Sequence, residues 1–130
     1  MALLNMKITT TDATPTELEV ASGTFLEFAN EMTAIVVVRV VARRTDVLGD
    51  SAGYELICLA QRNGGPETME IVGSVTKVVI AEGTGATSWD CNVSADTTNG
   101  ALKIEATGEA AKTIEWTACI HMNDSRDFAS

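Results

Sequence analysis

Apolar and polar residues alternate with a period of two along much of this chain, the pattern of strands with one buried and one wet face. In the clearest run Trp89, Cys91, Val93 and Ala95 alternate with Asp90, Asn92, Ser94 and Asp96. Thr97-Thr98-Asn99-Gly100 follows as a tight turn, its Asn-Gly pair suited to positive φ. Leu102, Ile104 and Ala106 then alternate with Lys103, Glu105 and Thr107. After Gly108–Lys112, Ile114, Trp116, Ala118 and Ile120 alternate with Glu115, Thr117, Cys119 and His121. These three strands are expected to form an antiparallel meander, with Trp89 and Trp116 as core anchors.

The first half predicts short strands near Lys7–Thr11 and Glu17–Ala21, separated at Thr14-Pro15. A long strand over Thr33–Asp46 needs a bend or bulge. Tyr54–Arg62, Thr68–Val72 and Val75–Glu82 follow, broken at Asn63–Pro66 and at Gly73. Eight or nine strands joined by turns predict an all-β antiparallel β-sandwich, with a jelly roll as the candidate type. Residues 1–130 read as one domain, 1–30 as a candidate extended arm and 123–130 as a loose tail.

Two strands carry apolar residues on both faces. If Val36, Val38, Val40, Tyr54, Leu56 and Cys58 face the core, then Ile35, Val37, Val41, Ile57 and Leu59 face outward. Such a patch calls for cover, from a helix, a loop or the N-terminal segment of the same chain, or from another subunit. The second choice makes Ile35, Val37, Val41, Ile57 and Leu59 candidate oligomer-interface residues, in a homo-oligomer expected to be a trimer. Phe25 and Phe28, in the irregular segment before the long strand, read as exposed residues of an attachment arm.

Composition agrees with strands: Thr, Val and Ile supply 37 of 130 residues, against 2 Pro and 10 Gly. Charge removes partners. With 9 basic and 18 acidic residues the chain carries −9, which excludes a counterion-displacing nucleic-acid binder. The longest apolar run, Ala34–Val38, is far below the ~20 residues of a membrane-spanning helix. Met1–Lys7 lacks the features of a signal peptide.

Candidate chemistry is sparse. Cys58, Cys91 and Cys119 contain no CxxC spacing, so neither a metal site nor another cofactor is expected. Three small strand hydrophobes is the favoured reading, with a Cys58–Cys91 bridge as the alternative. His121, the lone histidine, falls on a solvent-facing position without a triad partner on its strand face. The carboxylates fall mostly on outward positions or in loops, and the Gly-rich stretches precede strands rather than helices. No catalytic residue is expected, and the chain reads as a non-enzyme.

One ordered set of short motifs resembles a known family. Ala42-Arg43-Arg44-Thr45-Asp46, Ser51-Ala52-Gly53-Tyr54-Glu55-Leu56, Gln61-Arg62-Asn63 and Val72-Gly73-Ser74-Val75-Thr76-Lys77 are followed by Ala81-Glu82 and Trp89-Asp90. Ala95–Ile104, Gly108-Glu109-Ala110 and Lys112-Thr113-Ile114-Glu115-Trp116 complete it. Together they resemble a module of tailed-bacteriophage virion proteins, commonly the terminal domain of tail or tail-fibre proteins. The resemblance brings no catalytic residues. In a chain of this length, opening at Met1 without a shaft, it implies a capsid decoration (cement) subunit on the outer virion surface. Such a subunit is made in the host cytoplasm and binds other virion proteins such as the major capsid protein. The alternative is a tail or tail-fibre component binding host-surface carbohydrate, which would want exposed aromatics in its loops.

Overall fold

A computed structural model describes residues 2–126. Nine strands follow in order: β1 (Ala2–Thr10), β2 (Thr16–Glu17), β3 (Leu26–Glu27), β4 (Met32–Arg44), β5 (Ser51–Arg62), β6 (Glu70–Glu82), β7 (Asp90–Asp96), β8 (Ala101–Thr107) and β9 (Ile114–Asp124). A 3₁₀ turn at Pro66–Thr68 lies between β5 and β6. They form a five-stranded antiparallel sheet, β1-β9-β4-β5-β6, and a smaller sheet in which β8 pairs with β7, β2 and β3. The chain is an all-β sandwich.

β4 shows why. Its even positions, Met32, Ala34, Val36, Val38, Val40 and Ala42, are buried almost completely, while Ile35, Arg39, Val41 and Arg43 are exposed. β-branched side chains suit this pleated, centrally placed strand, flanked by β5 and β9. Between the sheets Trp116 stacks on Tyr54, with ring centroids 6.4 Å apart, and tilts against Trp89 at 6.1 Å. Burying each large apolar side chain contributes roughly 1.5–3 kcal/mol, so these inward rows carry the fold.

Several sequence expectations change in partner or extent. β7 and β8 form the expected hairpin, but β9 lies in the other sheet, between β1 and β4. Alternation identifies a buried face, and both sheets offer one. The strands expected either side of Gly73 are one strand, β6: Gly73 (φ 77°) sits in a bulge where Gly73–Val75 intervene between the pairs Leu59–Val72 and Ile57–Thr76.

The stretch read as an arm folds on its own domain. β1 pairs with β9 from Ala2–Met122 to Thr10–Ile114, and β2 and β3 pair with β8. Phe28 is not exposed: it is 1% accessible, and its N–H donates to Gly100 O at 2.8 Å. Phe25 is half-buried. The reason is again period two, with Leu26 and Phe28 on one side and Glu27 on the other. The expected loose tail over 123–130 does not begin at Asn123. Asn123 and Asp124 belong to β9, Asp124 is buried and ion-paired with Arg126 at 2.6 Å, and 127–130 lie outside the described residues.

Ion pairs fix the loops at one end. Arg44 Nε donates to Asp46 at 2.8 Å, and Lys112 Nζ donates to Asp50 at 3.2 Å and Gly85 O at 2.7 Å. Glu109 accepts from Trp89 Nε1 at 3.1 Å and pairs with Lys112 at 3.1 Å. The Arg44 guanidinium and the Thr113 N–H hold the Asp46 carboxyl well below its ordinary range.

Candidate interaction surface

The outer face of the five-stranded sheet is built row by row from its register. Ile35 lies opposite Leu59, and Leu59 opposite Val72. In the next row Leu3, His121, Val37, Ile57 and Thr76 succeed one another across all five strands. A third row runs Asn5, Cys119, Arg39, Glu55, Val78, and Arg39 Nε donates to Glu55 at 2.9 Å. Val41 follows, between Thr117 and Gly53.

All five interface candidates therefore share this face and adjoin one another. Ile35, Val41 and Leu59 are 48%, 59% and 38% accessible, and Val37 and Ile57 are half-buried. The N-terminal segment does not cover them: β1 lies at the sheet's edge, beside β9. Leu3, Val72 and Val78 extend the patch. Their own alternation gave no sign of this, because it is β1 and β6 as edge neighbours that bring them to this face.

Charge sets the face apart. Its outward positions carry three cations, Lys7, Arg39 and Arg43, against three carboxylates, Glu55, Glu70 and Glu115. The outward positions of the five strands sum to zero charge, with Glu19 bridged to Lys7 at the β1 edge, and most of the chain's −9 resides elsewhere. The smaller sheet is where acid collects: Glu17, Asp96 and Glu105 lie close enough to Lys103 for their charges to be felt together. Burial, then the Asp96 charge, pushes the Glu17 carboxyl up to about 7.

The cysteines divide along the same line. Cys58 and Cys91 are free thiols inside the sandwich, pushed by burial up to about 11 and about 12. Cys119 is exposed on the outer face, opposite Arg39. An open groove of about 550 Å³ beside it is lined by Asn5, Lys7, Arg39, Val41 and Thr117 among others. His121 has Leu3 and Val37 as cross-strand neighbours. Among the described residues no cluster of three or more His, Cys, Asp or Glu side chains could hold a metal ion. No described helix is long and apolar enough to cross a membrane.

No family model matches the chain, and no curated protein matches its sequence. On the outer sheet face, apolar side chains surround the Arg39–Glu55 ion pair.

Proposed function

We propose that this chain is a non-enzymatic structural protein of a tailed-bacteriophage virion, a capsid decoration subunit that stabilises the shell through subunit–subunit contacts. The observation that carries the reading is the neutral, apolar outer face of the five-stranded sheet on a chain of net charge −9. Exposed contiguous apolar surface of this kind marks interaction sites. Copies that repel through their other surfaces meet best where charge cancels. In this reading Ile35, Val37, Val41, Ile57 and Leu59 pack between copies in a homotrimer, and the acidic remainder faces solvent and neighbouring shell proteins. The virion assignment itself draws on the ordered motifs between Ala42 and Trp116.

The test has two arms. Light scattering at micromolar concentration is expected to give a trimer whose Cys119 resists maleimide, whereas Leu59→Glu yields monomers that label rapidly. Purified protein is also expected to bind capsids assembled without it. A monomer with freely reactive Cys119 removes the interface, and failure to bind any shell removes the decoration role.

A further inference from the structure

We propose that β6 is a second self-association site, at which two copies join edge to edge, antiparallel, over Thr76–Ala81. Among the described residues β6 closes the five-stranded sheet and pairs on one side only, with β5. Its other row of N–H and C=O groups faces outward, ready to accept a strand. Around that row the side chains are apolar on both faces. Val78 pairs with Glu55 on the outer face, while Val79 pairs with Tyr54 on the core side, yet they are 43% and 49% accessible. Ile80, at the second register shift, is 64% accessible. A contact on the outer face alone leaves Val79 in water. A strand laid beside β6 flanks both faces.

Exposed edges are commonly guarded by bulges, by charges or by a covering segment. At β1, the other end of the sheet, the Lys7 backbone exchanges hydrogen bonds with Glu19 at 2.9 and 3.0 Å, covering its middle. In β6 the Gly73–Val75 bulge interrupts the edge above Thr76, and below it the run is open, with one further register shift at Ile80. The one cation in that run, Lys77, is drawn back over the sandwich by Asp90 and Asn92. The natural guard is thus occupied elsewhere.

Charge and symmetry select a second copy as the occupant. Between Glu70 and Glu82 the strand's only charged residue is Lys77. A two-fold axis at Val78 or Val79 sets Glu82 opposite Ser74 or Thr76 of the other copy, so no carboxylate meets another. An antiparallel edge is self-complementary under such an axis, as an isologous contact requires. This contact is separate from the outer-face trimer, and it would link one oligomer to the next.

Amide hydrogen exchange on the full chain tests it. Exchange across Thr76–Ala81 is expected to slow several-fold as protein concentration rises. Val79→Lys is expected to abolish that dependence, with Cys58 and Cys91 still masked from thiol reagents and Cys119 protection unchanged. Exchange of the wild-type segment that is independent of concentration overturns the proposal whether or not the variant folds. So does protection that survives in Val79→Lys, or that arises only when a different virion protein is added. Loss of Cys119 protection with β6 protection intact strikes the trimer contact and leaves this one standing.

Discussion

One indole ties the core together. Trp116 is fully buried, stacks on Tyr54, tilts against Trp89 and donates its Nε1–H to Thr10 Oγ1 at 2.9 Å. Trp116→Ala removes that burial, leaves a cavity and strands a buried hydroxyl, and should cost about 3–5 kcal/mol. Glu115→Ala, one residue away and exposed, should change stability by at most ~0.5 kcal/mol. Urea midpoints of the two variants check both values. The roles of Trp116 and Glu115 were legible because alternation names the inward residue. Glu17 was not, since its surroundings depend on the pairing of β2 with β8 and on Asp96 reaching the same place. A carboxyl raised to about 7 binds its proton more tightly folded than unfolded. Stability is therefore lost as pH rises from about 4.5 to about 7. Glu17→Gln should be the more stable protein at pH 8, by about 1 kcal/mol after allowance for solvent screening, with the difference closing below pH 4.5. Thermal melts across that range decide it.

At the scale of elements, the turn between β7 and β8 does more than reverse the chain. Gly100 has φ 64°, accepts the Phe28 N–H and packs against Arg62, whose Nη1 donates to Phe28 O at 2.6 Å. A Cβ there would press on the Arg62 guanidinium and stand 3.1 Å from Pro66 Cα. Gly100→Ala should therefore cost about 1–2 kcal/mol through left-handed strain and the displaced guanidinium. Asn99→Ala, which loses the one bond from Nδ2 to the Asp96 carboxylate at 2.7 Å while the backbone N–H groups of Thr98 and Asn99 still donate to that carboxylate, should cost less. Thermal melts of the two variants test the order. The Asn-Gly turn could be read in the sequence, and so could the β7–β8 hairpin it closes. What could not be read was any pairing between residues distant along the chain. β9 has the same alternation whether it extends β8 or crosses to β4, because period two specifies a face and not a neighbour. Gly73 looked like a break for a related reason: a positive-φ glycine serves a bulge as well as a turn. The segment around Phe25 and Phe28 hid in a different way, since the two-residue strand β3 is too short for its period to stand out from the irregular chain around it.

At the scale of the molecule, the outward greasy parity was legible in β4 and β5, whose strands are long enough to show both faces. The neutrality of that face was not, because it is a sum over five strands assembled by register. It gives association a definite salt dependence. If copies meet on a neutral apolar face while their remaining surfaces carry −9 each, the long-range force between them is repulsive and the contact itself is insensitive to ions. The Debye length falls from about 10 Å at 0.1 M salt to about 3 Å at 1 M, which removes the repulsion and leaves apolar burial unscreened. Self-association should therefore strengthen as sodium chloride is raised over that range. An interface held by ion pairs would weaken. Ile35→Glu places a carboxylate opposite Leu59 within the patch, so it should dissociate the oligomer while leaving the inward face of β4 unchanged. Its residual association should rise with salt more steeply than that of the wild type, because each copy then carries an additional negative charge into the contact. Sedimentation velocity across a salt series gives both slopes. A wild-type assembly that falls apart in high salt would show that charge pairing, not the apolar sheet face, holds the copies together.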